Sequence, residues 1–502
     1  MKMFEPKRLH PAAAVVNAAK QIKEMIIPLA TFLFLGARDG WNIFFLLLAA
    51  GGIIYVLVIG IVSWFRFTYR IEENELRLEY GVFIKKKRYI PIERIQSVDR
   101  IEGIIHRPLG LVQIKIETAG GGGGGENSEA SLAAITKDEA ALLEEAIAAG
   151  KNGTDPAPET EVPIVRSETV YTLSPSTLFL MASTSGGAGV VISAVMAFIF
   201  QFEEFIPYKK VFKGLESLVS NGVVVISVLV FAAFLAAWLL AVCGMMLRYG
   251  NYSLEKTETD FIISRGLLEK RKFTIPLQRI QAVQVIENPL RQLFGYAEVS
   301  VDSAGGSVEG PESSRVLLLP MVKVGDIKSI LGNHLTDYNF QPEITSVPSR
   351  ALGRYLFRNL AIALPPAVTL AFIFQPRGSI ALIIPVLAAV WAYSKFRAAG
   401  WALEGDQLSL RFRRIPKITV HLRKNRIQSL DMGESYFQRK KHLARIAAFA
   451  KSGAGTAGGA VRDVESTDAT AIYEWFSREK KNPTPEGEQA SAVSAAPESS
   501  PY

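Results

Sequence analysis

Hydrophobic positions along the chain fall into two unlike patterns that alternate three times. Trp41 to Phe65, Leu178 to Gln201 and Gly222 to Leu247 are continuous apolar stretches without a charged side chain. Each is long enough for a ~30 Å hydrocarbon core. Met25 to Gly36 is shorter and reaches the first of these through the tight turn Arg38-Asp39-Gly40, so it reads as the first arm of a hairpin. Leu360 to Phe374 and Ile380 to Tyr393, split by Gln375-Pro376-Arg377-Gly378, form a third pair in the same way. Between the pairs the period changes to two. Val112, Ile114 and Ile116 alternate with Gln113, Lys115 and Glu117, and Val299 and Val301 alternate with Glu298, Ser300 and Asp302. That predicts strands with one apolar and one wet face. Gly81 and Gly266 mark turns between strands, and helices are expected over Asp138 to Ala148, Val324 to Leu335 and Asp468 to Ser477.

The patterns recur because the sequence recurs. Pro91-Ile92-Glu93-Arg94-Ile95-Gln96-Ser97-Val98, followed by Leu109-Gly110 and Thr118-Ala119-Gly120, aligns without a gap on Pro276-Leu277-Gln278-Arg279-Ile280-Gln281-Ala282-Val283, Phe294-Gly295 and Ser303-Ala304-Gly305. A divergent third copy keeps Arg426-Ile427-Gln428-Ser429-Leu430, but has Arg423 in place of the proline and His442 in place of the glycine. The expected organisation is an interfacial segment (1–24), a transmembrane hairpin (25–65) and a β-rich domain (66–150), then a linker (151–170). A second hairpin (171–248) and domain (249–340) follow, then a third hairpin (350–396), a basic third domain (397–480) and a disordered tail (481–502). The fold class is thus a polytopic α-helical membrane protein with six transmembrane helices as three hairpins, each followed by an α+β cytoplasmic domain of antiparallel strands and a C-terminal helix.

Charge refines this picture. Lys, Arg, Asp and Glu make up 21% of the 502 residues, too many for a chain that is all span, and the net charge is +8. Arg66, Arg70, Arg248, Arg350, Arg354, Arg358, Lys395 and Arg397 flank the apolar stretches on one side. The positive-inside rule then places both termini and all three domains in the cytoplasm, with the protein in the cell membrane. Cys243 is the single cysteine, so no intrachain disulfide forms.

Candidate chemistry is basic. Lys85, Lys86, Lys87 and Arg88 occupy the same place in the first copy as Lys270, Arg271 and Lys272 in the second, with Arg411, Arg413, Arg414 and Lys417 nearby in the third. From Lys395 to Arg462 there are fifteen Lys or Arg against four Asp or Glu. These residues are the candidates for binding lipid headgroups of an anionic leaflet, set against a reading as topology signals on solvated strands. Arg94, Gln96, Arg279, Gln281, Arg426 and Gln428 of the repeat motif read as groups that satisfy backbone at a strand start, with direct ligand contact as the alternative. The strings Gly120 to Gly125 and Gly453-x-Gly455-x-x-Gly458 lack the strand-helix context and the Gly-Lys-Ser/Thr of nucleotide sites. His10, His106, His334, His421 and His442 lack metal-ligand spacing, so no metal site is expected; no cofactor and no nucleic-acid partner is expected either.

The ordered motifs Pro-x-x-Arg-Ile-Gln-x-Val, Leu/Phe-Gly and Thr/Ser-Ala-Gly resemble the bacterial pleckstrin-homology (PH) membrane domain. The tandem of hairpin and domain resembles the YdbT-like family across nearly the whole chain, from about Lys20 to Arg478. The resemblance implies two packed antiparallel sheets with a C-terminal helix in each domain. It also implies assembly with itself or with a smaller PH-domain membrane protein of the family. It implies little about activity. The expected function is a non-catalytic scaffold whose domains bind anionic lipid or protein partners, in envelope maintenance or resistance to membrane-active peptides. A transporter or lipid flippase is the alternative, disfavoured by spans without buried charge. An enzyme is expected least, because no nucleophile and base can be named.

Overall fold

The computed structural model describes residues 5–18, 21, 25, 42–118, 130–152, 167–185, 222–304, 315–375, 377–452 and 455–477. All of the expected span Met25 to Gly36 but Met25, most of Leu178 to Gln201, the first Gly-rich string and the tail lie outside the described residues.

The first unit runs β1 (Lys7–Arg8), α1 (Asn42–Arg66), β2 (Thr68–Glu72), β3 (Glu75–Tyr80), β4 (Lys86–Pro91), β5 (Ile95–Glu102), β6 (Leu111–Thr118), β7 (Ala130–Thr136) and α2 (Lys137–Asn152). The second runs β8 (Glu168–Thr172), α3 (Pro175–Ser183), α4 (Gly222–Tyr249), β9 (Ser253–Lys256), β10 (Asp260–Arg265), β11 (Lys270–Pro276), β12 (Ile280–Glu287), α5 (Pro289–Leu293), β13 (Tyr296–Ser303), β14 (Arg315–Lys323) and α6 (Ile327–Leu331). The third runs β15 (Thr345–Ser346), α7 (Leu352–Ile373), α8 (Ile383–Ala398), β16 (Gly400–Glu404), β17 (Gln407–Arg413), β18 (Lys417–Arg423), β19 (Ile427–Gly433), α9 (Tyr436–Arg439), β20 (Leu443–Ser452), β21 (Gly455–Glu465) and α10 (Ser466–Phe476). Among the described residues, Phe231–Tyr249, Ser349–Ile373 and Gly378–Ala398 are helices long and apolar enough to cross a membrane.

Each unit turns a corner at its repeat motif. Pro91 and Pro276 end a strand of the first sheet; lacking an N–H, proline cannot extend that ladder. A 3₁₀ turn (Ile92–Arg94, Leu277–Arg279) then sends Ile95 or Ile280 into the second sheet. Arg423 adopts the same extended backbone before the turn Lys424–Arg426, so the third copy keeps its corner without the proline. His442 takes a left-handed φ of 52°, matching 65° at Gly110 and 70° at Gly295. Gly81 and Gly266 turn at φ 118° and 105°, where a Cβ would lie 2.0 Å from a carbonyl oxygen. Only glycine fits such a turn without strain.

The units do not fold as separate beads. Among the described residues the strand orders are β1-β2-β3-β4, β7-β6-β5-β11-β10-β9-β8, β14-β13-β12-β18-β17-β16-β15 and β19-β20-β21. Each seven-stranded sheet joins the second sheet of one unit to the first sheet of the next. The seams are antiparallel and share one register: Lys270 faces Glu102 at the first, and Lys417 faces Glu287 at the second.

This continuity corrects the expected wet face. Val299 and Val301 are buried in the second core, but Ser300 and Asp302 are buried as well. Ala282 and Ile286 of β12 belong to the third unit's core, so this sheet is covered on both sides. The C-terminal helix of the second unit also differs from expectation. Val324 to Leu335 yields only a 3₁₀ turn and the short α6. At the other end, residues 12–18 are helical, Leu9 and Ala13 are buried in the first core, and Trp64 Nε1 donates to the Leu9 carbonyl at 2.7 Å.

Candidate functional site

In the first two units the turn between the second and third strands of the first sheet is pinned to the end of an apolar helix, and in the third unit the strand leading into that turn is. Arg66, the last residue of α1, donates from Nη1 to the Val82 carbonyl at 2.9 Å. Leu267 N–H donates to the Leu247 carbonyl of α4 at 2.9 Å, and Gly266 N–H to Gly250 at 2.7 Å. In the third unit Arg411 Nε donates to the Ala398 carbonyl at the end of α8 at 2.9 Å, and Arg413 lies over the Trp391 ring at 5.8 Å. Two turns, and the strand that leads into the third, are thereby held where a chain leaves its hydrophobic helix.

The tips of these turns are apolar and exposed. Phe83 is 85% and Ile84 73% exposed, Leu267 and Leu268 stand out at the same place in the second unit, and Ile415 is 68% exposed in the third. A second row comes from the turn after β5, β12 or β19: Ile104 and Ile105, then Leu290, Leu293 and Phe294, then Tyr436 and Phe437, all exposed. Exposed apolar surface recurring at equivalent places marks a contact surface, because isolated apolar residues need no explanation but a patterned patch does.

The basic residues form the shoulder of this rim, with unequal freedom. Lys85 and Lys87 reach Glu79 at 2.6 and 3.7 Å while remaining exposed, and Lys86 and Arg88 are exposed on β4. Lys270 and Lys272 are exposed, and Arg271 pairs with Glu269 at 2.7 Å. In the third unit three of the four candidates are engaged within the protein. Arg411 is tied to α8 as above, Arg413 Nη2 donates to Gln292 Oε1 at 2.5 Å, and Lys417 pairs with Glu287 at 2.7 Å. Burial pushes the Arg411 and Arg413 guanidinium values down, opposed in each by the charge of Glu287. Arg414 is exposed beside the Phe412 ring.

In the first two units the repeat motif opens the strand that forms the seam, and in the third it opens β19, which pairs only with β20 among the described residues. Gln281 is buried and donates to the Arg279 carbonyl at 3.1 Å. Arg279 is partly buried, its value lowered by desolvation and supported by Glu117 of the first unit. Arg94 and Gln428 are exposed, Arg426 is half-buried, and the Gln96 side chain lies outside the described residues.

Sequence reasoning did not find two features. The apolar tips were legible only as hydrophobic residues directly after Gly81 and Gly266, where a turn ought to be polar. The second is a buried ionic cluster at the base of α7. Asp463, fully buried on β21, meets Arg354 Nε and Arg358 Nη1 at 2.7 Å each and accepts from Gln438 Nε2 at 3.0 Å. Arg350 pairs with Glu465 beside it. Arginines expected to act as topology signals therefore also bolt the apolar helix α7 to the third domain. Among the described residues no group of three His, Cys, Asp or Glu side chains could hold a metal ion.

The Bacterial PH domain family matches residues 24–151, 210–335 and 356–480, once per unit. The UPF0699 transmembrane protein YdbT of Bacillus subtilis (strain 168) is 37% identical over 493 residues, covering 95% of this chain and 99% of that protein. The UPF0699 transmembrane protein YdbS of the same organism is 28% identical over 105 residues, 21% of this chain and 62% of that protein. No solved structure matches the chain.

Proposed function

The chain belongs to the bacterial PH domain family of membrane proteins, and from that premise we propose that it is a non-catalytic membrane scaffold whose three units lie against the anionic cytoplasmic leaflet. The observation that carries this reading is the rim: apolar tips at the ends of membrane helices, with Lys and Arg beside them, at the same place in each unit. Apolar tips suit the acyl boundary and basic shoulders suit the headgroups, each cation near the surface adding about 1 kcal/mol. Six spans in three hairpins, with both termini cytoplasmic, would keep all three rims on one leaflet. In this reading Lys85, Lys86, Lys87, Arg88, Lys270, Lys272 and Arg414 contact headgroups, while Arg411, Arg413 and Lys417 hold the third unit in place.

Lipid retention tests it. The full chain, gently extracted from membranes containing phosphatidylglycerol and phosphatidylethanolamine, should retain phosphatidylglycerol in excess, measured by lipid mass spectrometry. The excess should fall with salt as the Debye length shrinks from about 10 Å at 0.1 M to about 3 Å at 1 M. Replacing Lys85, Lys86, Lys87 and Arg88 by Ser should remove a large part of it. Equal retention by parent and variant would contradict headgroup binding, and substrate-dependent flux in proteoliposomes would favour a transporter instead.

A further inference from the structure

We propose that copies of this chain join head to tail in the membrane plane, β4 of one molecule adding to β19 of the next by the pairing that joins the units within one chain. This inference does not depend on lipid binding. It rests on the two seams and on what is left at the two ends.

Within the chain, β11 adds to β5 and β18 adds to β12 in the same register, each pairing a lysine with a glutamate: Lys270 with Glu102, Lys417 with Glu287. Counting from the repeat motif, the equivalent lysine of the first unit is Lys85 and the equivalent glutamate of the third is Glu434. Among the described residues β4 pairs only with β3, and β19 only with β20. The array therefore starts with the strand that accepts a preceding unit and ends with the strand that accepts a following one. Exposed unpaired edges of this kind are templates for strand addition.

Extending the register to the ends gives complementary neighbours. Lys85 meets Glu434, Lys86 meets Gly433 and Arg88 meets Asp431, so two opposite-charge pairs face each other across the new seam. Asp431 sits where Asp99 and Gln284 sit at the internal seams; those are 3% and 2% exposed, whereas Asp431 is exposed. Gln428 is exposed where Gln281 is buried. Arg107 at the first seam donates to the Leu267 carbonyl of the next unit at 2.8 Å, and Arg439 holds the matching position at the free end, facing the Val82 carbonyl of an incoming molecule. Because the seam repeats the internal one, the membrane helices of successive molecules stay on one side. A heterologous contact of this type builds open chains or rings.

Cysteine cross-linking in native membranes tests it on the full chain, in a Cys243→Ala background. Lys86→Cys with Gly433→Cys places two thiols across the proposed seam; a Cβ at Gly433 meets nothing within 4 Å. Arg271→Cys with Ile101→Cys, directly paired at the internal seam, is the intramolecular control. We expect a ladder of dimers and higher species from the first pair, none from either single variant, and no ladder from the control. Lys85→Glu with Arg88→Glu should cut the ladder about tenfold by setting like charges opposite one another, and adding Glu434→Lys with Asp431→Lys should restore it. Monomers from the first pair while the control closes would overturn the proposal, as would capture of the first-unit thiol by a smaller protein instead of a second copy.

Discussion

Asp99 and His421 show how one seam residue sets pH dependence, with opposite signs. Desolvation, then the charge of Glu117, pushes the Asp99 carboxyl well above its usual range, against Lys115, the Thr274 backbone N–H and Arg271. Its folded value lies above its unfolded one, so the folded state binds the proton more tightly. The penalty is complete above the folded value and fades as pH falls towards the unfolded value of 3.8. Asp99→Asn should therefore stabilise the chain at neutral pH by on the order of 1 kcal/mol and flatten this part of the profile, read by thermal unfolding in mild detergent. His421 is buried between Ser409 Oγ at 2.9 Å and the Phe340 ring, and burial depresses it from 6.5 to about 4. Stability tied to its neutral form is full above pH 6.5 and lost as pH falls to about 4, on the order of 3 kcal/mol. His421→Gln should flatten that acid limb even if it lowers the plateau. The basic clusters were legible in the sequence because runs of Lys and Arg are visible as such. These two were not, because their burial comes from a neighbouring repeat and nothing within one repeat encodes it.

Elements separate positions that look alike in sequence. Gly266 turns at φ 105° with a virtual Cβ 2.0 Å from the Glu269 carbonyl oxygen, whereas Gly110 at φ 65° has open space around it. Gly110→Ala should cost about 1 kcal/mol for the left-handed backbone alone, and Gly266→Ala more, because the strand must also move. Equal losses in midpoint would contradict the turn geometry. On α7, Asp463→Ala leaves Arg354 and Arg358 facing a buried site without their anion. It should unseat the third unit from its helix at a cost of about 3 to 5 kcal/mol, seen as protease sensitivity near β21. Strands, turns and the final helices of the first and third units were readable from the sequence pattern, whereas the helix expected over Val324 to Leu335 is only a 3₁₀ turn and a five-residue helix. The edge-to-edge joining of sheets was not, since alternation assigns a strand its faces and not its neighbours. The wet face assigned to β13 is the plain case: Ser300 and Asp302 alternate as a solvent face should, yet the next unit covers them.

At the scale of the molecule, the triplication is a row of four sheets among the described residues, two of which are each shared between neighbouring units. The repeat signalled the family and the number of units, and the third copy keeps its strand corner despite Arg423 and His442. Topology is testable directly. Reporter fusions at Gly40, Glu216 and Gly378 should read external and those at Glu126, Gly310 and Glu488 cytoplasmic, and one reversed domain would contradict the shared leaflet. The rim itself is tested most directly by depth. With Cys243→Ala and a spin label at Ile84→Cys, Leu268→Cys or Ile415→Cys in nanodiscs containing phosphatidylglycerol, membrane-dissolved oxygen should relax all three labels more strongly than a water-soluble nickel complex does. Labels at all three sites relaxed chiefly by the aqueous nickel complex would contradict the account, because the three apolar tips would then face water and not the leaflet.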